Sequence, residues 1–217
     1  MSMTEDLTRR LEASYSAVIH DVMREMGQAD FTLPPRLRPL LPEQKMAGPA
    51  FTIQGKAGAF DPHETLLAWT GLLSQCPAGH VWVNQPNDNV VAHMGELSAE
   101  TLHDKGVRGC VLDGMARDTD FLVELRFQCW HDGFTPRDIV GTWLPEKVGV
   151  PVQIGEVEIA PGDWLMGDRD GLVRIPAAIV EEVVERAEKA AGEENAIRTA
   201  IRGGMDPQQA YIRHGRF

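Results

Sequence analysis

The chain has 217 residues, of which 43% are hydrophobic and 24% charged, and its formal net charge is −11. This length and composition predict one globular domain over residues 1–217 with a substantial core. The acidic excess disfavours binding to nucleic acid phosphates or to anionic membranes. No stretch approaches the roughly 18 apolar residues of a membrane span, and the acidic N-terminus has no apolar signal segment, so we expect a cytoplasmic protein.

The first half of the chain begins with a helical pattern and continues with alternating segments. Apolar residues recur at helical spacing from Leu7 to Met26, and Gly27 is a natural stop, which predicts one or two helices over about residues 4–27. Four prolines in residues 31–45 indicate an irregular connector. Four short β-like runs and two helical segments follow. The runs are 50–53, 81–83, 107–112 and 127–130, and the helical segments are 64–73 and 96–105.

From about residue 150 the pattern is that of β-hairpins. Gly155-Glu156 separates the runs 152–154 and 157–159, and a second turn separates 164–166 from 172–175. A long helix is predicted from about residue 177 to 202, and a tail with apolar residues extends to Phe217. Together, the C-terminal helix and tail occupy about residues 177–217. Alternating βαβ units followed by hairpins predict one mixed α/β domain.

Cysteine and histidine patterns give little support for zinc or disulfide chemistry. Three cysteines lie at wide spacing, and Cys110 and Cys129 fall in apolar runs that are typical of core thiols. The segment 61–64 combines His63 with carboxylates and would suit a metal, but its order is more typical of a capped helix start. His93 is a further candidate because it lies close to the glycine that opens the second helical segment.

The strongest chemical signal is Gly95-Glu96-Leu97-Ser98, with twenty residues between Glu96 and an Arg117-Asp118 pair. A helix that opens at Gly95 presents unpaired N–H groups that can bind a carboxylate. Arg117 is suited to gripping a carboxylate through two hydrogen bonds, and Asp118 is suited to holding a hard divalent cation. Both segments follow predicted strands, where ligands collect in open α/β sheets.

Each half of this signal also has a purely structural interpretation. Gly95 can be only a turn, with Glu96 placed to favour the helix dipole. Arg117 can be part of a solvated charge cluster, paired with Asp113 or Asp120. The combination of a helix that begins at a glycine with an Arg-Asp pair favours a ligand site over both structural interpretations.

These segments, together with Pro161-Gly162-Asp163 and residues 167–176, resemble the RraA-like family. That family includes the 4-hydroxy-4-methyl-2-oxoglutarate / 4-carboxy-4-hydroxy-2-oxoadipate aldolases and the ribonuclease E activity regulators. The resemblance extends from about Val18 to Gly215. It implies an α/β fold, a swivelling β/β/α domain with a layered mixed sheet and flanking helices, assembled as a homotrimer or homohexamer.

For activity, the resemblance implies a class II, metal-dependent pyruvate aldolase. Such a lyase cleaves a 4-hydroxy-2-oxo acid like 4-hydroxy-4-methyl-2-oxoglutarate to pyruvate and an oxo compound. Oxaloacetate decarboxylase side activity and a place in aromatic degradation are part of the same expectation. The cofactor would be Mg²⁺, with Mn²⁺ or another divalent cation as alternatives.

The resemblance also assigns roles to residues. Arg117 would grip the substrate carboxylate and Asp118 would hold the metal. Backbone amides of Gly95, Glu96, Leu97 and Ser98 would contact the pyruvate-like part of the substrate. Glu96 would act near metal-bound water. Glu194, in preference to Glu193, would approach the metal of a neighbouring subunit, also through water.

Two departures from the family pattern leave the identity of the substrate open. Glu96 stands where the best-studied aldolases carry aspartate, and residues 84–89 are more polar than the glycine-rich stretch usual there. The regulator members tend to lack the full metal-binding set, so its presence favours an enzyme. Two other functions remain: a non-catalytic protein that binds and regulates a ribonuclease, which the acidic charge would suit, and a lyase or dehydratase acting on a sugar-derived 2-oxo acid.

Overall fold

The computed structural model describes residues 2–215. The helices are α1 (Met3–Ala13), α2 (Ser16–Glu25), α3 (Pro62–Gln75), α4 (Glu96–Asp104), α5 (Thr119–Glu124), α6 (Val180–Arg202) and α7 (Pro207–His214). The strands are β1 (Arg38–Pro39), β2 (Met46–Ala57), β3 (Val81–Gln85), β4 (Gly109–Leu112), β5 (Met115–Ala116), β6 (Cys129–His131), β7 (Gly133–Phe134), β8 (Trp143–Val148), β9 (Val152–Ile154), β10 (Val157–Ile159), β11 (Trp164–Gly167) and β12 (Leu172–Ile175).

A mixed sheet of eight strands forms the centre of the fold. Its order is β1-β6-β4-β3-β2-β11-β12, and β8 pairs with the second half of β2. Strands β2, β3, β4 and β6 run parallel to one another, whereas their other neighbours are antiparallel. Parallel neighbours need crossover connections, and α3, α4 and α5 supply them. The carboxyl ends of these four strands therefore share one edge of the sheet.

The parallel strands are apolar on both faces because a layer covers each side. Along β3, Trp82 packs into the core beneath α3, α4 and α5. Its neighbours Val81 and Val83 face the opposite core, which the β9–β10 hairpin closes with Val152 and Ile159. Hairpin, sheet and helices thus form three layers. The predicted α/β fold, a layered mixed sheet with flanking helices, is confirmed.

The terminal helices pack on the antiparallel end of the sheet. α1, α2 and α6 share a third core with β11 and β12. Ser16, at the start of α2, donates to Asp168 from both its backbone N–H and its hydroxyl, each at 2.7 Å. The Asp168 turn therefore fixes the position of the N-terminal helices. Within residues 2–215, none of the helices combines the length and apolar character needed to cross a membrane.

Most predicted elements are confirmed, including both N-terminal helices, both hairpins and the long C-terminal helix. Cys110 and Cys129 are fully buried, as expected of core thiols. Strand β8 was not predicted, because Pro145 within it counts against a strand. It pairs with the second half of β2, and the Trp143 ring packs over Gly55, where an added Cβ would lie 1.9 Å from Trp143 Cζ2.

No helix was predicted in the tail, which forms α7. Asp206 caps this helix and Pro207 is its first residue. Ala210 is buried, whereas Tyr211 and Ile212 stay exposed. Phe217, also counted among the apolar residues of the tail, lies outside the described residues.

Candidate active site

A small second sheet at the carboxyl edge of the main sheet builds the site. β5 pairs in parallel with β7, and Ala92 forms a bridge with Met115. Two residues further on in each segment, the backbone N–H of Arg117 donates to Met94 O at 2.9 Å. These contacts hold the chain before α4 alongside the chain before α5. The first residues of two helices, separated by more than twenty positions in the sequence, therefore lie side by side.

Gly95 and Asp118 are in close contact across this junction. Asp118 Oδ2 accepts a hydrogen bond from the Glu96 N–H at 3.2 Å. A Cβ added at Gly95 would lie only 2.6 Å from the same oxygen and 3.1 Å from Arg117 Cγ and Nε. The backbone of Gly95 is extended, with φ −148°, so any residue can adopt it. Glycine is required here for space and not for a turn.

The Arg117 guanidinium lies between two carboxylates. Its Nε is 3.3 Å from Asp118 Oδ2, and its Nη1 is 3.7 Å from Asp138 Oδ2. The side chains of Arg117 and Asp118 are each about one third exposed, 35% and 36%. Solvent therefore reaches both groups, and a ligand carboxylate can exchange places with an existing partner of the guanidinium.

Asp118 has an unusual backbone. Its φ of 54° and ψ of 38° are left-handed, a conformation that aspartate adopts more easily than most residues. It occupies the N-cap position of α5, yet its side chain makes no cap hydrogen bond there. The carboxylate is directed instead to the start of α4. This backbone conformation costs free energy, and such costs are concentrated at functional sites.

A cavity of about 370 Å³ opens beside these groups. Its polar wall comprises Thr70, Glu96, Ser98, Thr101, Arg117, Asp118 and Asp138, and its apolar wall includes Leu66, Trp69, Leu73, Ile139 and Val140. Trp69 Nε1 donates to Ser98 Oγ at 2.9 Å, which joins the two walls. In the described chain, the first-turn N–H groups of Leu97 and Ser98 have no protein acceptor. The cavity can therefore hold a small anion at the start of α4.

The structure brings together six of the seven residues predicted for the site. Gly95, Glu96, Leu97, Ser98, Arg117 and Asp118 all line this one cavity. The roles given to them stay predictions.

Glu194 lies elsewhere in the chain, in a groove between α2 and α6. It accepts a hydrogen bond from the Tyr15 hydroxyl. Burial, together with that hydrogen bond, raises the pKa of Tyr15 to about 12. The described chain does not place Glu194 in its own cavity, and its role at a neighbouring subunit's site stays a prediction.

The alternative partners considered for Arg117 are wrong. Its ion pairs within the described chain are with Asp118 and Asp138, whereas Asp113 pairs with Arg36. The capped helix start is confirmed, because Asp61 Oδ1 accepts from the N–H groups of His63 and Glu64 at 2.9 and 3.0 Å.

His93, a further candidate from the sequence, does not line the cavity of the described chain. Its side chain is fully buried, and its Nε2 lies 3.2 Å from Asp88 Oδ2. Burial lowers the pKa of His93 to about 4, although Asp88 opposes that shift. At neutral pH it is an uncharged core residue beneath the site.

The carboxylate of Asp118 fits the requirement of a hard divalent cation. Both of its contacts in the described chain use Oδ2, so Oδ1 has no protein partner there. Residues 2–215 contain no group of three or more histidine, cysteine or acidic side chains arranged to hold a metal. Mg²⁺ does not need such a cage, since it usually binds one or two carboxylates and completes its shell with water and substrate.

Sequence reasoning missed ten of the sixteen residues that line the cavity. Asp138, Ile139 and Val140 come from an irregular loop with no chemical signal of its own. Leu66, Trp69 and Leu73 have the helical spacing of core residues, and nothing local shows that this face of α3 borders a cavity.

Comparison with known proteins identifies the family. The model of the RraA-like family, described as Aldolase/RraA, matches residues 16–174. The chain belongs to this family, and the predicted resemblance is confirmed.

Among curated relatives, a Halalkalibacterium halodurans protein named "Putative 4-hydroxy-4-methyl-2-oxoglutarate aldolase" is 27% identical over 176 residues, which cover 81% of each chain. Two other relatives are matched over less of their length. They are a Methanocaldococcus jannaschii protein, 31% identical over 52% of this chain and 53% of its own, and DlpA of Legionella pneumophila, 26% identical over 94% of this chain and 33% of its own.

Two solved structures extend the comparison. A protein from Pseudomonas syringae pv. tomato superimposes with a TM-score of 0.86 at 26% identity, covering 98% of this chain and 95% of that one. Streptomyces coelicolor RraAS2, described as an unusual member of the RNase ES inhibitor RraA protein family, gives 0.79 at 29% identity, covering 89% and 96%. The relatives thus include proteins named as aldolases and proteins named as inhibitors.

Proposed function

We propose that the protein is a divalent-metal-dependent aldolase that cleaves a 4-hydroxy-2-oxo acid to pyruvate and an oxo compound. The observation that carries this proposal is the junction of Arg117, Asp118 and the α4 N-terminus in one cavity. A guanidinium, a free carboxylate oxygen and unpaired amides are the groups needed to orient a 2-oxo acid. The relatives named as aldolases support the same reaction class.

Each residue has a distinct part in this reaction. Arg117 binds the substrate carboxylate, which replaces Asp138 as a partner of the guanidinium. The N–H groups of Leu97 and Ser98 bind the adjacent oxygens at the positive end of α4. The apolar wall of α3 excludes water from the carbon chain of the substrate. The 2-oxo acid is thereby held in one orientation before any bond breaks.

A divalent cation held by Asp118 Oδ1 would supply Lewis-acid polarisation of the 2-oxo group. Cleavage then needs a base for the 4-hydroxyl proton. Glu96, or Glu194 of a neighbouring subunit, accepts that proton through a water molecule. The C3–C4 bond breaks as C4 becomes a carbonyl, and its electron pair passes to the enolate of pyruvate. Protonation at C3 gives pyruvate, so atoms and charges balance.

The same enolate forms when oxaloacetate loses carbon dioxide, so these groups also supply the chemistry of a decarboxylase side activity, at the rate at which the cavity admits a dicarboxylate. A regulator of a ribonuclease is the second candidate, because RraAS2, which superimposes on 89% of this chain, is described as an unusual member of the RNase ES inhibitor RraA protein family. A lyase or dehydratase on a sugar-derived 2-oxo acid would use the same groups.

Pyruvate release from 4-hydroxy-2-oxo acids, with and without EDTA, tests the proposal directly. We expect activity that chelation removes and that Mg²⁺ or Mn²⁺ restores. Arg117→Ala and Asp118→Ala should each lower kcat/KM by roughly 100-fold or more, because a helix N-terminus alone does not replace a bidentate grip or a metal ligand. Arg9→Ala removes an exposed arginine of α1 that is 64% exposed and should leave the rate unchanged.

The outcome distinguishes the candidates. Wild-type rates in the Arg117 and Asp118 variants would contradict the site. Full activity after exhaustive chelation would contradict the metal-dependent mechanism. No pyruvate from any 4-hydroxy-2-oxo acid, combined with inhibition of a ribonuclease by the purified protein, would favour the regulator.

A further inference from the structure

The charges around the cavity are unequal. Three carboxylates line it, those of Glu96, Asp118 and Asp138, whereas Arg117 is the only cationic side chain among the lining residues of the described chain. The lining side chains therefore carry a net charge of −2, from three negative groups and one positive group. A divalent cation at Asp118 brings the cavity to neutrality, before the first carboxylate of a substrate binds.

The Arg117 guanidinium can pair with only one substrate carboxylate. Arg117 already faces Asp118 through Nε and Asp138 through Nη1. A substrate carboxylate that binds it takes one of its two hydrogen-bonding edges, because a bidentate carboxylate occupies a whole edge. The other edge remains with Asp118. A second substrate carboxylate therefore has no cation left to pair with in this part of the chain.

The remaining wall consists of apolar, hydroxyl and negatively charged side chains, with no cation among them in the described chain. Leu66 and Leu73 of α3 face the cavity together with Ile139 and Val140. Asp138 adjoins these residues, with its side chain about half exposed. Its Oδ1 accepts a hydrogen bond from the Val140 N–H at 3.1 Å, which fixes the carboxylate at this wall. A charged group held here would lose hydration and meet a like charge.

We infer that the cavity accepts 2-oxo acids with one carboxylate and an uncharged distal end, and that Asp138 is the residue that rejects a second carboxylate. This inference rests on the proposed function for its reaction, and its substrate class is argued from the cavity lining that this chain supplies. The inferred substrate therefore differs from 4-hydroxy-4-methyl-2-oxoglutarate, the dicarboxylate in the name of the Halalkalibacterium halodurans relative. The distal group is an alkyl or hydroxyalkyl chain.

Two substrate pairs of equal length test the inference. 4-Hydroxy-2-oxopentanoate and 4-hydroxy-2-oxoglutarate both have five carbons and differ only in a terminal methyl or carboxylate. Cleavage of each yields pyruvate, which is quantified by chromatography. 2-Oxopentanoate and 2-oxoglutarate are the corresponding pair without the 4-hydroxyl, and their binding is measured by calorimetry in the presence of Mg²⁺.

The wild-type protein should favour the monocarboxylate of each pair by about tenfold or more. The second carboxylate of the other substrate would lie beside Asp138 without a cationic partner, and such like-charge contacts are strongly disfavoured. Asp138→Asn keeps the hydrogen bond to Val140 and removes the charge. This substitution should reduce the preference for the monocarboxylate by about two- to fivefold, as expected for removal of a half-exposed charge. Because both substrates of a pair carry the same 1-carboxylate, any effect of the substitution on its binding cancels in the ratio of the two kcat/KM values or affinities. Asp104→Asn removes a charge from α4 that is 86% exposed and should leave the ratio unchanged.

Equal or better cleavage of the dicarboxylate would overturn the inference and leave the proposed aldolase standing. An unchanged substrate ratio in Asp138→Asn would overturn the role of Asp138. If neither hydroxy acid is cleaved but 2-oxopentanoate binds more tightly than 2-oxoglutarate, the substrate class holds and the proposed reaction fails. If nothing is cleaved or bound, both are overturned.

Discussion

Replacing Gly95 with alanine should disable the site while the fold persists. The new Cβ would lie 2.6 Å from Asp118 Oδ2, whereas ordinary contact begins at 3.4 Å. The carboxylate must therefore move by about 0.8 Å, and the Arg117 side chain, 3.1 Å from the same point, must shift with it. Both are flexible side chains at the surface of a cavity, so the displacement requires no change in the backbone.

The expected loss of activity follows from that displacement. A misplacement of about 1 Å in a catalytic group can cost on the order of 100-fold, so kcat/KM for pyruvate release should fall by about 10- to 100-fold. Stability should change less, because alanine at an N-cap costs about 1 kcal/mol or less. In a chain of this size that lowers Tm by about 2–4 °C.

Gly71→Ala provides the matched control. It makes the same substitution inside α3, where an added Cβ meets nothing within 4 Å. It should raise stability by about 1 kcal/mol through helix propensity and leave kcat/KM unchanged. A Gly95→Ala protein with wild-type kcat/KM would refute the reasoning, as would a crystal structure of the variant with Asp118 in its original place.

Three further predictions concern other parts of the molecule. We expect light scattering to show a trimer or hexamer. Glu194→Ala should alter the rate of pyruvate release but not the assembly, because one carboxylate contributes little to an interface. A fully active monomer would contradict a site shared between subunits. Because burial lowers the pKa of His93 to about 4 from the usual histidine value of 6.5, the unfolded state takes up the proton first on acidification. The stability that neutral His93 contributes is therefore complete above about pH 6.5 and is lost as pH falls towards 4, by up to about 1.4 kcal/mol per pH unit. The slope of Tm against pH in that window should be shallower in His93→Gln, and an unchanged slope would contradict the assignment. Gly55→Ala should destabilise the fold by about 1–3 kcal/mol, since the Cβ would overlap Trp143, and thermal melting with Gly192→Ala as the control measures this.

The local sequence was enough to predict most elements and the central chemistry. Asp61 and Pro62 marked the start of α3 because a cap and a fixed φ act within a single turn. The β9–β10 hairpin was predictable for a similar reason, since its turn and flanking apolar runs are contiguous. Glu96 and the Arg117-Asp118 pair could be grouped because both follow strands that end at the same edge of a parallel sheet.

The tertiary structure decided what these residues touch. The purely structural interpretation of Gly95 was a turn, whereas the structure shows that the Asp118 carboxylate occupies the space of a side chain there. Asp138 has no local signal, and it reaches Arg117 only because β7 pairs with β5 and directs the following loop over the cavity. His93 was close to the site in sequence, yet the alternation of side chains along an extended segment turns it into the core. Local rules act over a few residues, whereas contacts such as these depend on strand pairing between distant segments, and only the folded chain fixes that pairing.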